Sequence, residues 1–351
     1  MPRSKNVVLK EKIKKKQMRD SEWYGIRSIL GYYNWAIFYI ILGAREAGKS
    51  YSVMDFMVRQ WKKYGIPFIW LRLNEASMKK MLVNNAEKFV DADLVRKYGL
   101  KLKVKGNNVY DDEKKMATIL ALSTFANDKG VALFDNDFLK EAVMKYHICL
   151  DEFQLEKTQR SQGDIAYQFV QQLENLVRST KTKTRVFLIG NTLEEASDIL
   201  TLFNYIPEEF GRYKLKSKRA VIDYLPPTEK YLTRRKGTVG DILYGEHSNF
   251  TNKIDFDRTL VNKSRLIRPT ATIHFSKTVI FTIWDGKTIA EYNGEQTKTK
   301  IAMRPYIDLI FDSKLRDQII YNFDSRGYLY KNLITNKKFQ KEISLIKPRK
   351  Q

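Results

Sequence analysis

The chain has 351 residues, a formal net charge of +23, 43% hydrophobic and 13% aromatic residues. That composition belongs to a folded protein with room for one large domain and a smaller one, and it excludes a chain disordered throughout. The single cysteine, Cys149, excludes an internal disulfide framework and a CxxC-type metal site and points to a reducing compartment.

In chain order, residues 1–22 form a basic tail: Met1 to Asp20 carries eight Lys/Arg against two acids and reads as mobile, with no apolar core of a signal peptide. Residues 23–222 alternate continuous apolar runs with helical spacing. The runs are Ala36 to Leu42, Pro67 to Leu73, Tyr146 to Leu150 and Arg185 to Ile189; the helical segments are Ser50 to Tyr64, Ala76 to Val90, Ile165 to Val177 and Glu194 to Phe203. Continuous apolar strands separated by helices imply a mostly parallel sheet covered on both faces, an α/β fold. Lys101 to Leu122 reads as an antiparallel insertion of short strands with a turn at Gly106-Asn107-Asn108. The rhythm changes at Pro226-Pro227. Residues 223–256 read as a charged helical linker broken at Gly237 and Gly240, and residues 257–351 as a small α+β domain. That domain opens with a strand meander (Ala271 to Phe275, Val279 to Trp284, Thr288 to Tyr292) and ends in helices and a basic tail. The longest apolar stretch, Trp35 to Ala44, falls short of the roughly 20 residues of a membrane span, so no membrane partner is expected.

Gly43-Ala44-Arg45-Glu46-Ala47-Gly48-Lys49-Ser50 fits GxxxxGK[ST], preceded by an apolar strand and followed by a helix. The glycines let backbone N–H groups cradle phosphates at the positive end of a helix. Lys49 would bridge the β- and γ-phosphates of ATP and Ser50 would ligate Mg²⁺. Some hundred residues on, the run His147-Ile-Cys-Leu-Asp151-Glu152 ends an apolar strand in two acids. Asp151 suits an Mg²⁺ held through water, and Glu152 suits the base that polarises the attacking water. His147 and Cys149 read as strand packing. The separation leaves room for a strand between the two motif strands. With the adjacent glutamate, it indicates the additional-strand, catalytic-glutamate branch of P-loop NTPases, which includes helicases, recombinases and packaging motors. Asn191 or Thr192, after the run ending at Ile189, would stand beside the γ-phosphate as a sensor. Arg178 ends a helix ahead of a basic loop and is either an exposed helix-end arginine or a finger reaching a neighbour's nucleotide. Arg72 ends the second strand, facing phosphates, a neighbour or an ion-pair partner. Tyr32 and Tyr33 are candidates to stack on adenine.

The charge points to nucleic acid. Basic residues concentrate in the two tails and in Arg212 to Arg219, with five in eight. Lys103 and Lys105, with Asn107 and Asn108, are candidate DNA contacts on a hairpin turn.

The phosphate loop GAREAGKSYS, the run ICLDEF, the later FLIGNT, the segment Arg234 to Gly245 (RRKGTVGDILYG) and the meander TVIFTIWDGKTIAEY resemble the DNA-packaging (encapsidation) ATPases of small short-tailed phages, relatives of the large terminases. The resemblance covers most of the chain beyond the N-terminal tail. It implies ATP-driven translocation of double-stranded genomic DNA into an empty capsid by a ring, a homopentamer, docked on the portal of the prohead, with a structural RNA as a possible further partner. The implied location is the host cytoplasm, transiently on the procapsid. It makes Arg178 a finger acting in trans, Asn191 the coupling residue, and the C-terminal domain an RNase H-like nuclease that has lost its acids. Thr270 to Ser276 indeed carries no Asp or Glu, so no DNA cleavage is expected. The family is basic after Arg72, where this chain has Leu73, Asn74 and Glu75; Lys79 and Lys80 follow one turn later. A helicase or recombination-type DNA-dependent ATPase, which shares the same motifs, is the alternative reading.

Overall fold

The structure, a computed structural model, describes residues 8–11, 23–128, 146–154, 164–177, 184–191, 197–244, 257–276, 278–292 and 313–347. The chain divides into two compact units: residues 1–203 with 207–255, and residues 204–206 with 256–351.

Unit 1 is built on a ten-stranded sheet. Its strands are β1 (Val8–Glu11), β2 (Phe38–Gly43), β3 (Phe68–Arg72), β4 (Leu102–Lys105), β5 (Asn108–Asp111), β6 (Lys114–Ala121), β7 (Tyr146–Asp151), β8 (Thr184–Asn191), β9 (Gly211–Leu215) and β10 (Ala220–Tyr224), in the order β1-β9-β10-β2-β8-β7-β3-β6-β5-β4. The six strands from β10 to β6 pair in parallel, and both edges are antiparallel. The central strands are buried on both faces, which explains their continuous apolar sequence.

The strand that separates β2 from β7 is β8, which follows both of them in sequence. The expected runs coincide with β2, β3, β7 and β8. Three features differ from the sequence reading. Val8–Glu11 in the N-terminal tail is a strand that pairs with β9, because Val8 and Leu9 supply β-forming residues to an open sheet edge. The expected antiparallel insertion forms as β4, β5 and β6, and β6 also pairs in parallel with β3, placing Met116, Ala117, Ile119 and Ala121 in the core. Strands β9 and β10 were not anticipated, and β10 spans residues 222–223, where the linker was expected to begin.

The helices of unit 1 are α1 (Arg27–Tyr32), α2 (Lys49–Tyr64), α3 (Glu75–Ala86), α4 (Ala92–Tyr98), α5 (Ile165–Val177), α6 (Asp198–Leu202), α7 (Glu229–Arg235) and α8 (Val239–Tyr244). In α2, Val53, Met54, Met57, Val58 and Trp61 face the core at helical spacing, and left-handed Gly65 ends the helix by donating its N–H to the Trp61 carbonyl. The helix expected to run to Val90 breaks at Asn84 and Asn85, both left-handed, a conformation that Asn tolerates better than most residues.

Arg212 and Asp223 explain why β9 and β10 read poorly. They form a two-pronged ion pair across the strands, at 3.1 Å for each hydrogen bond, with side chains 5% and 1% exposed. One member of the basic cluster Arg212 to Arg219 is therefore consumed inside the sheet; Lys216, Lys218 and Arg219 remain exposed.

Unit 2 carries a four-stranded sheet of β11 (Pro269–His274), β12 (Ile280–Trp284), β13 (Thr288–Glu291) and β14 (Leu329–Tyr330), in that order. The expected meander forms its first three strands, and β14 joins parallel to β13. Helices α9 (Ser313–Asp324) and α10 (Leu333–Ile346) complete the unit. Phe339 of α10 is fully buried and packs against Phe275, Phe281, Tyr328 and Tyr330.

Replacing Asp223 with Ala leaves the Arg212 guanidinium buried without its carboxylate. Equilibrium urea unfolding followed by near-ultraviolet circular dichroism should show a loss of about 3–5 kcal/mol; a change under about 0.5 kcal/mol would mean that water or another group satisfies Arg212 equally well.

Candidate functional site

The sheet register brings the sequence motifs together. Gly43, the last residue of β2, pairs with Asn191 at the end of β8, and Asp151 at the end of β7 pairs with Ile189. All three strands therefore present their carboxyl ends at one edge, where open α/β folds bind ligands.

Between β2 and α2 the chain turns through Glu46 (φ 61°) and Gly48 (φ 78°) and enters α2 at Lys49. The positive φ at Gly48 needs glycine, as does its packing: a Cβ there would lie 3.2 Å from the Trp23 ring. Lys49 is 5% exposed, and its ammonium folds back to donate to the Gly43 carbonyl at 2.9 Å, the Ala44 carbonyl, and Asn191 Oδ1 at 3.2 Å. Burial lowers its pKa to about 8, against the opposing pull of the Asp151 and Glu152 carboxylates.

Ser50 Oγ donates to Asp151 Oδ1 at 3.0 Å. A hydroxyl and a buried carboxylate in contact at a helix N-terminus suit a hard cation whose other ligands are phosphate oxygens and water. Among the described residues no cluster of three or more His, Cys, Asp or Glu forms a cage of its own. Burial pushes the Asp151 carboxyl above the usual carboxylate range, and Arg72 pulls it back down. Arg72 spans both acids: one nitrogen donates to Asp151 Oδ2 at 3.1 Å and the other to Glu152 Oε2. Of the alternatives for Arg72, the structure shows the ion pair. Glu152 is left-handed (φ 53°), an uncommon conformation for a residue with a side chain, and that side chain is 54% exposed.

Gly190 allows this convergence. A Cβ there would sit 2.9 Å from Leu42 of β2 and 2.9 Å from the Phe153 ring, which follows Glu152. His147 is fully buried between the Phe56 and Phe187 rings, its pKa lowered to about 3 by burial and then by Arg185; it packs and does not reach the site. Cys149 is likewise buried.

Arg178 and Thr192 lie outside the described residues. Other expected contributors stand elsewhere. Tyr33 is buried beneath the charged groups of Arg212 and Lys214, whereas Tyr32 is 70% exposed. Lys103 pairs with Glu113 at 2.6 Å and Lys105 lies over Tyr110, both on the hairpin at the β4 edge of the sheet. Lys79 pairs with Glu75. The sequence reading missed Trp23, Arg234 and Arg235, which surround the outer crest of the phosphate loop. The paired arginines were visible, but nothing local indicated that α7 returns to the loop.

A parallel sheet with a strand between the loop-bearing strand and the acid-bearing strand, and a GxxxxGKS turn at its carboxyl edge, defines an α/β P-loop NTPase of the additional-strand type. The chain belongs to the Podovirus DNA encapsidation protein (Gp16) family, whose model matches residues 18–339. Among curated relatives, the DNA packaging proteins of Bacillus phages PZA and phi29 are each 25% identical over 240 residues, an alignment spanning 66% of this chain and 66%, just under two thirds, of each relative. Among solved structures, the Phi-28 gp11 DNA packaging motor superimposes with a TM-score of 0.63 at 12% identity, covering 94% of this chain and 100% of that one. The bacteriophage Phi-29 viral genome packaging motor assembly gives 0.57 at 19% identity, covering 92% and 100%. At those identities the structural matches establish a common fold.

Gly190→Ala should cost about 1–3 kcal/mol by overpacking and push β8 away from β2, separating Asn191 from Lys49. A wild-type thermal midpoint with unchanged nucleotide affinity would show that Leu42 and Phe153 give way freely.

Proposed function

We propose that this chain is an Mg²⁺-dependent ATPase that moves double-stranded viral genomic DNA into an empty capsid. It works as a ring of copies, a homopentamer, docked at the portal of the procapsid in the host cytoplasm. The observation that carries the reading is the buried Lys49 ammonium at the N-terminus of α2, in contact with Asn191 and one residue from the Ser50–Asp151 pair, in a member of an encapsidation family.

In this reading the N–H groups of residues 43–50 bind the polyphosphate, and Lys49 exchanges its carbonyl partners for phosphate oxygens. Ser50 and Asp151 would hold Mg²⁺, which supplies charge neutralisation on the phosphates. Glu152 accepts a proton from the attacking water, for which it must leave Arg72. Asn191, touching Lys49, is placed to register loss of the γ-phosphate and to pass that along β8. Arg178 follows directly on α5 and acts on a neighbouring copy's nucleotide, as the family resemblance implies. The units divide the work: unit 1 with α7 and α8 holds the ATPase and linker, and unit 2 is a nuclease-derived domain without cleavage activity, since β11 carries no acid. Excess positive charge favours salt-sensitive, sequence-independent DNA contact. Lys103 and Lys105 remain candidates for that contact, and a structural RNA is a possible additional partner.

Lys49→Ala should abolish ATP turnover and packaging, and Glu152→Gln should bind ATP without hydrolysing it. Normal turnover in the first would remove Lys49 from the phosphate site, and full hydrolysis in the second would move the base elsewhere. Mixing Arg178→Ala with Glu152→Gln subunits should restore some turnover if the arginine acts in trans; no rescue at any ratio contradicts that role.

Lys49 also sets a pH dependence. Polyphosphate needs the ammonium form, and the unliganded group titrates near 8. Each pH unit above that value should weaken binding of a non-hydrolysable ATP analogue by up to about tenfold. Lys49→Arg should level the profile; a wild-type affinity constant to about pH 9.5 would refute the depressed pKa.

A further inference from the structure

The phosphate loop is held from outside at three consecutive residues. Glu46 receives Arg235 at 3.0 Å on its carboxylate, and its main-chain carbonyl accepts from Arg234 at 3.0 Å. The Ala47 carbonyl accepts the Tyr24 N–H at 2.9 Å. Gly48 packs against the Trp23 indole, and the Arg234 guanidinium lies over that ring, 4.4 Å from its centre. The layers run guanidinium, indole, glycine. The inner residues, Gly43 and Ala44, are held by Lys49 itself.

This outer fastening has an energetic purpose. Glu46 adopts a left-handed conformation that is strained for a non-glycine residue and persists only where its surroundings impose it. Among the described groups, the ones that meet the Glu46 side chain are the two arginines of α7. Arg235 is 18% and Arg234 35% exposed while the Glu46 carboxylate is 55% exposed, so the ion pairs are partly screened by water and the hold comes from them together with the Arg234 hydrogen bond to the Glu46 carbonyl. Fixing Glu46 fixes the direction of the loop N–H groups that follow it.

We propose that Arg234 and Arg235 are positioning residues for the nucleotide. From α7 they hold the crest of the phosphate loop in its anion-receiving shape through Glu46 and Trp23. This rests on the ATP reading of the loop and deepens it: the RRKG segment, which carried a sequence resemblance without a role, becomes the linker's grip on the phosphate site. The coupling is reciprocal, so nucleotide in the loop should stiffen α7.

The test is steady-state ATP hydrolysis by the full chain carrying Arg235→Ala, Arg235→Lys, Glu46→Gln, or Glu46→Gln with Arg235→Ala. Loss of a preset loop should raise KM about tenfold, within the range that couplings between contacting residues span, and leave kcat within about threefold. Arg235→Lys should recover part of the loss, and the double variant should be no worse than the worse single one. Hydrogen exchange in α7 should slow when a non-hydrolysable ATP analogue is added to wild type and slow less in Glu46→Gln. An unchanged KM in both single variants, or additive losses in the double, overturns the proposal. Should Arg235→Ala fail to fold, Arg235→Lys and Glu46→Gln carry the same comparison. If Lys49→Ala turns over normally, the ATP reading fails; if it is inactive while Glu46→Gln and Arg235→Ala keep the wild-type KM, only the α7 grip fails.

Discussion

A lysine ammonium buried at the positive end of a helix is electrostatically out of place, and the organisation of unit 1 answers to it. The N-terminus of α2 repels a cation, and burial removes the water that would stabilise one. Lys49 relieves this with the carbonyls of Gly43 and Ala44 and the amide oxygen of Asn191, and with the more distant pull of the Asp151 and Glu152 carboxylates. The parallel order β2-β8-β7 brings that amide and the two acids to the same edge. The cost of the arrangement appears in neighbouring conformations: positive φ at Glu46 and Glu152, and a glycine at 190 where no Cβ fits.

The two arginine systems around this centre play different parts. Arg72 lies inside, at the end of β3, and spans both acids. Its contact with Glu152 is with a half-exposed carboxylate at a strained backbone position and is the easier one to release; its contact with buried Asp151 is the harder one. Arg234 and Arg235 lie outside, on a helix that belongs to unit 1 although it follows the last strand of the sheet.

Legibility in the sequence followed the local physics. Strands β2, β3, β7 and β8 were plain because both faces are buried and no charge interrupts them, and α5 was plain because an apolar face repeats through Ile165, Ala166, Phe169 and Leu176. The GxxxxGKS turn and the Asp-Glu pair could be placed because each follows such a strand. Strands β9 and β10 were hidden by Arg212 and Asp223, two charges that read as surface and are in fact each other's partners in the interior. The edge strand β1 was masked by its lysine-rich surroundings, and β6 by the hairpin that precedes it. The contacts of Arg234 with Trp23 and with Glu46 join residues some 200 apart in sequence, and no periodicity encodes such a meeting.

The central claim is a DNA-driven ring whose sites are completed by neighbouring copies, and it is tested most directly by ATP hydrolysis per subunit, measured across protein concentration with and without double-stranded DNA. A rate per subunit that rises with concentration and rises again with DNA is the predicted result. A rate indifferent to both would leave a P-loop ATPase acting alone and would contradict the packaging-ring account.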